Sequence, residues 1–176
     1  MLFFGGKDRF ERLVKPELKV LYRVARRMGA GQEEAEDLVQ ITLVKAYQAF
    51  DRFDGRYLRS WLIRILRNEK LMQARTQQTE TSLQEPDAPE PADAGFWEEV
   101  SWRMEAGRIL EELAELPEPF RMTIQLCDVE QMTYEEAAQA LEVPIGTVRS
   151  RLFRARAMLR QRLTPVTGNL EGAYSG

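Results

Sequence analysis

TYEEAAQALEVPIGTVRSRLFRARAMLRQRL, residues Thr133 to Leu163, decides how this chain is read. It opens on a capping box: the Thr133 hydroxyl and the Glu136 carboxylate each satisfy a free backbone donor, so a helix starts there. That helix runs through Ala137, Ala138 and Leu141, then meets Val143-Pro144-Ile145-Gly146. We expect a short turn at this point, with Gly146 supplying the backbone angles that other residues resist. A second helix follows from Thr147. Helix, short turn and basic helix make the helix-turn-helix pattern, whose second member lies in a DNA major groove with its N-terminal residues at the base edges.

Angular spacing along the second helix separates its faces. Val148, Leu152, Ala155, Leu159 and Leu163 cluster on one side and form its core face. Ser150, Phe153, Arg154 and Ala157 point the other way. An outward Phe153 between Arg149 and Arg154 suits a thymine methyl, with the arginines reaching guanine or phosphate. Six arginines and no acid lie between Thr147 and Leu163, whereas a merely solvated helix normally carries acidic partners. A helix-turn-helix by itself serves repressors and activators equally, so the rest of the chain matters.

Working toward the N-terminus, residues 76–95 carry Pro86, Pro89 and Pro91 among Gln, Thr, Asp and Glu, with Leu83 the only large apolar residue. That composition cannot bury a core and reads as a flexible acidic linker. Residues 1–75 hold sixteen Lys/Arg against ten Asp/Glu, and residues 76–105 hold one against eight, so two basic regions flank an acidic middle within a net charge of −3. Residues 1–75 and 96–163 are then two small helical domains, followed by a tail over 164–176. The fold class is all-α.

In the first half, Ala35, Leu38, Val39, Thr42, Ala46, Ala49 and Phe50 recur at three- and four-residue spacing, which predicts a helix from about Glu33 to Phe50. Glu33, Glu34, Glu36 and Asp37 in its first turns suit the helix dipole. Ile41, Val44 and Tyr47 fall on the opposite face beside Asp37, Gln40 and Gln48. An apolar strip rimmed in this way fits a docking surface. A further helix is expected from about Arg59 to Asn68, with Trp61, Leu62, Ile65 and Leu66 inward and Arg59, Arg64, Arg67 and Lys70 outward. Basic residues interleaved with Phe50, Phe53, Tyr57 and Trp61 supply cations for phosphate and rings for bases, although Trp61 by spacing alone belongs to the core.

Taken together, these segments resemble an extracytoplasmic-function (ECF) sigma factor. EEAEDLVQITLVKAYQAFDRFD (Glu33 to Asp54) resembles the core-binding helix of that family's region 2, and LRSWLIRILRN (Leu58 to Asn68) its promoter-melting helix. LPEPFRMTIQL (Leu116 to Leu126) and the segment from Met132 to Leu163 resemble region 4. The resemblance implies a polymerase-binding set of Asp37, Gln40, Ile41 and Val44, although the family usually has an acidic residue where Ile41 stands. It implies a −10 set of Trp61, Arg64, Asn68 and Lys70, with Asn68 beside the loop that captures a flipped base. It also implies a −35 set of Arg149, Ser150, Phe153 and Arg154. The implied partners are core RNA polymerase, promoter DNA and an anti-sigma factor.

No catalytic residue, cofactor or metal is implied, and the chain has no His. No run approaches the roughly 18 apolar residues that span a bilayer, so the expected location is the cytoplasm with no membrane insertion. Cys127 sits in an apolar run and reads as a small buried hydrophobe rather than a redox sensor.

Overall fold

A computed structural model describes residues 4–75 and 106–163. The expected linker over 76–95 and the tail over 164–176 lie outside these residues. Among the described residues every regular element is helical: α1 (Phe4–Val14), α2 (Leu18–Arg27), α3 (Gln32–Ala49), α4 (Leu58–Arg75), α5 (Ala106–Ala114), α6 (Glu118–Ile124), α7 (Tyr134–Leu141) and α8 (Ile145–Leu163).

Local chemistry sets the boundaries. Pro16 lacks an amide proton and sits in the short 3-10 turn Lys15–Glu17, which divides α1 from α2. Gly29, two residues past the end of α2, has a φ of 88°, and its amide and that of Ala30 turn back onto the carbonyls of Arg26 and Ala25. Helix α4 runs well past Asn68 to Arg75, because Lys45 pairs with Glu69 and Lys70 with Glu34 across the α3 interface. α6 continues into a π turn over Gln125–Val129, closed by the Glu130 amide on the Gln125 carbonyl at 2.9 Å.

The two halves are packed against each other. One buried cluster runs from Phe10 and Leu21 through Leu38, Leu62, Ile63 and Leu66 to Leu126, Ala137, Leu141 and Val148. A second, smaller cluster under α8 joins Leu113, Leu116 and Ile124 to Leu152, Leu159 and Leu163. Burying one such side chain is worth roughly 1.5–3 kcal/mol, so this shared apolar surface is a major source of cohesion. The principal seam between the halves is α4 on α7. There the Ser60 hydroxyl donates to the Glu136 carbonyl at 2.8 Å, and Arg67 donates to the Ala140 carbonyl at 3.3 Å. Ile63, between them on the same stripe, is completely buried. Arg67 therefore points into the seam rather than outward.

Candidate nucleic-acid interface

The capping box forms as expected. Thr133 Oγ1 accepts from the Glu136 amide at 3.1 Å, while Glu136 Oε2 accepts from the Thr133 amide at 2.8 Å. The turn after α7 differs from expectation. Gly146 has an ordinary helical place in the first turn of α8, and the left-handed residue is Glu142, with φ 55°. The Val143 amide bonds the Ala138 carbonyl at 3.1 Å and the Glu142 amide bonds that of Gln139 at 3.4 Å, the same closure that Gly29 gives α2. Pro144 then accepts from the amides of Thr147 and Val148 and starts α8.

On α8 the core face is as the spacing predicts, with Val148, Leu152, Ala155, Leu159 and Leu163 all buried. Of the −35 set, Arg149 is exposed, its guanidinium 5.9 Å from the centre of the Tyr134 ring, a cation–π distance. Ser150 donates to the Thr147 carbonyl at 3.2 Å, and Phe153 and Arg154 are half-buried. The helix carries no acid of its own, yet neighbouring elements supply acidic partners. Arg156 forms a bidentate pair with Asp128 at 3.0 and 2.7 Å, and Arg162 meets Glu112 at 3.4 Å. The absence of acids from one helix was therefore no measure of its pairing.

The strip on α3 is where the spacing put it. Asp37, Gln40 and Gln48 are exposed, Ile41 is half-buried, and Val44 is 57% exposed. Tyr47 completes the strip and takes an edge-on contact from Phe10 at 5.3 Å.

Ahead of α4, the loop 53–57 is shaped by two devices. Asp54 Oδ1 accepts from the Arg56 amide at 2.8 Å, and Gly55 and Tyr57 adopt positive φ values of 82° and 51°. Such angles are uncommon for a Tyr and mark a conformation imposed by its surroundings. The neighbouring Glu135 carboxylate raises the Tyr57 pKa. Phe50, Phe53 and Trp61 stack in series, with centroids 6.2 and 4.6 Å apart. Trp61 is half-buried, so it serves the core and the surface together. A cleft of about 200 Å³ opens beside this stack, walled by Phe53, Tyr57 and Trp61 with Arg52, Arg56 and Arg64, and touched by Gln139 of α7.

Of the −10 set, Trp61 and Arg64 meet in this cleft. Asn68 is exposed one turn further on, outside the lining, and Lys70 is turned to Glu34, whose pKa it lowers by hydrogen bonding. Sequence reading missed Arg52 and Arg56 as wall residues. The available signal was the Asp54-Gly55 dipeptide, which demands a tight turn and so folds the flanking arginines toward one another.

Two arginine-bearing surfaces, one of them following a tight turn, on described residues whose regular elements are all helical define a class. Residues 13–80 match the family "Sigma-70 region 2" and residues 106–159 match "Sigma-70, region 4". The ECF RNA polymerase sigma-E factor of Salmonella typhimurium is 33% identical over 175 residues, covering 92% of this chain and 90% of the relative. The ECF RNA polymerase sigma factor SigE of Mycolicibacterium smegmatis is 33% identical over 157 residues and 88% of this chain, which spans 61% of that relative's length. The sigma factor RpoE of Bartonella quintana, solved with the anti-sigma factor NepR, superposes with a TM-score of 0.67 at 32% identity, covering 88% of this chain and 96% of that one. CnrH, solved with the cytosolic domain of CnrY, gives 0.65 at 29% identity over 89% and 88%. This chain belongs to the ECF sigma factor family.

Proposed function

We propose that this protein binds core RNA polymerase and directs it to promoters, reading duplex DNA with α8 and stabilising separated strands with α4 and the 53–57 loop. The observation that carries this reading is the pairing, on one chain, of a turn-positioned basic helix with an arginine-walled aromatic cleft. A major-groove reader needs planar, multi-donor heads near a helix N-terminus, which Arg149 and Arg154 supply beside Ser150 and Phe153. A melted strand needs rings for bases and cations for phosphates, which Phe53, Trp61, Arg52, Arg56 and Arg64 supply. Asn68 adds an amide that both donates to and accepts from a base edge. Extruding a base costs a few kcal/mol, and the cleft offsets that cost.

Docking on polymerase is assigned to Asp37, Gln40, Ile41 and Val44. Polymerase supplies the chemistry, so the chain acts without a catalytic residue or cofactor of its own. The expected location is the cytoplasm; among the described residues no helix is long and apolar enough to cross a membrane. By analogy with RpoE, which was solved with the anti-sigma factor NepR, an anti-sigma factor is a further partner of this chain. Run-off transcription from a cognate promoter with core polymerase tests the reading: product that depends on this chain supports it, and a promoter footprint by the chain alone at nanomolar concentration would replace it with a classical regulator. Replacing both Ile41 and Val44 with Ser should weaken core binding about tenfold with helicity unchanged, as expected for an apolar contact at an interface centre.

A further inference from the structure

We propose that Arg27 of α2 and Arg121 of α6, with Arg26 beside them, form a binding site for a small oligophosphate, the chemistry shared by inorganic polyphosphate and the tail of a nucleoside di- or triphosphate. None of the three belongs to the −35 set or to the aromatic cleft, so the site goes beyond the promoter-directing reading.

Hydrogen bonds set the two guanidinium groups side by side. Arg27 Nε donates to Gln125 Oε1 at 3.1 Å, and its Nη1 approaches the Leu110 carbonyl at 3.5 Å. Arg121 stands one turn before Gln125, and its Nη1 donates to the carbonyls of Ala114 and Leu116 at 3.1 and 3.0 Å. Leu110 and Ala114 are likewise one turn apart on α5. Residues four apart share a helix face, so the two arginines meet successive turns of the same two elements.

The result is a surplus of positive charge. Among the described residues Arg27 and Arg121 form no ion pair. Glu111 and Glu115, next to the accepting residues on α5, are exposed and pair with neither. The Glu130 carboxylate takes Gln125 Nε2 at 3.0 Å but is already clasped by Nε and Nη2 of Arg23 at 2.9 and 2.7 Å. A simpler account has Arg121 serve only as a cap on the carbonyls that end α5. Those carbonyls carry about half an elementary charge, which leaves most of two whole cations uncompensated, with Arg26 in addition.

Arg27 and Arg121 are both half-buried, and the Arg121 Nε–H is buried without a partner. Burial pushes the Arg27 pKa down, and Arg121 and Arg26 add to the fall. Like charges held together away from water, with a donor unsatisfied, favour the entry of an anion. Planar, forked guanidinium heads match phosphate oxygens. An oligophosphate brings several negative charges on one small ligand, which suits a half-buried pair among α2, α5 and α6. A nucleic-acid backbone spreads its charge along a track and suits an open surface instead.

Tripolyphosphate titrated into the full chain by calorimetry at constant ionic strength should bind and should raise Tm, as a ligand of the folded state does. Arg27→Gln and Arg121→Gln should each weaken that binding at least fivefold, with helicity in circular dichroism unchanged. Arg26→Glu alters an exposed side chain with no hydrogen bond or ion pair among the described residues. It should weaken binding by a similar factor, and it decides the matter if a half-buried variant fails to fold. A nucleoside triphosphate that binds more tightly than tripolyphosphate, by a margin the same variants remove, assigns the site to nucleotides; equal affinities assign it to inorganic phosphates. No binding beyond that of chloride overturns the site. Affinity that all three variants leave within twofold of the parent's also overturns it, by showing phosphate held on another basic surface. An equal loss, in these variants, of affinity for a single-stranded oligonucleotide without terminal phosphates overturns it too, by making the arginines part of a nucleic-acid track.

Discussion

Helices α4 and α8 look alike in composition, each a basic helix with a regular apolar face, yet the fold sets their cations in different surroundings. On α4, Arg59 is clasped by Glu17, the half-buried Arg67 donates to the Ala140 carbonyl near the end of α7, and Lys70 is paired with Glu34. Glu17 raises the Arg59 pKa while burial lowers that of Arg67, so two arginines eight residues apart sit in opposed environments. On α8 the acidic partners Asp128 and Glu112 fall on Arg156 and Arg162, toward the rear, and Arg149 near the front is exposed. What this difference teaches is that the charge of a helix and the availability of that charge are separate properties. The first follows from composition, and the second from which elements are packed alongside.

The largest effect should come from removing the support beneath either helix. Leu66 lies fully buried under α4 and Leu159 under α8, so Leu66→Ala and Leu159→Ala should each cost about 2–5 kcal/mol in thermal denaturation. If the two helices share one cooperative fold, each variant lowers a single common transition. Two separated transitions would break the comparison by making the helices independent.

Next in size is the division of labour in DNA. Arg154→Ala should cost about 1–3 kcal/mol on duplex promoter and relax preference at the −35 element. Asn68→Ala should impair opening instead, and a template with a premelted −10 region should recover part of its lost activity without rescuing Arg154→Ala. Equal rescue in abortive transcription would erase the distinction between the helices.

A smaller effect sharpens the comparison at the start of α7, the element that touches both. Thr133→Ala removes the cap on the Glu136 amide and should lower stability by about 1 kcal/mol, read as a shift in denaturant midpoint at constant slope.

The smallest effect concerns Cys127, which packs against both core clusters. Burial pushes its thiol up to about 12, with Asp128 adding to the rise and Arg156 opposing it. A raised thiol pKa means that only the unfolded chain ionises at intermediate alkalinity. Its contribution to stability is complete below its ordinary value of 9.0 and declines as pH rises from there toward about 12. At neutral pH the native thiol should alkylate far more slowly than in denaturant, and equal rates would show that it is not buried.

The sequence by itself determined what depends on neighbours a turn or less away. The Thr133–Glu136 cap, the core face of α8 and the exposed strip of Val44 and Tyr47 on α3 were all legible, because helical periodicity and capping are short-range properties written in consecutive residues. The turn after α7 was legible in place but not in detail, since Glu142 takes the left-handed angle that Gly146 was expected to supply. That substitution works because two returning amide bonds and the following proline hold Glu142 there. Only the tertiary structure decided the fates of Ser60, Ile63 and Arg67, which periodicity alone leaves on the outer side of α4. Their partners lie more than seventy residues away on α7, and no local pattern encodes which apolar face a second half will cover. The same holds for Glu130, whose pairing with Arg23 joins residues 107 apart. Burial and charge pairing at such separations are set by the packing of whole helices, and so appear only when the chain is folded.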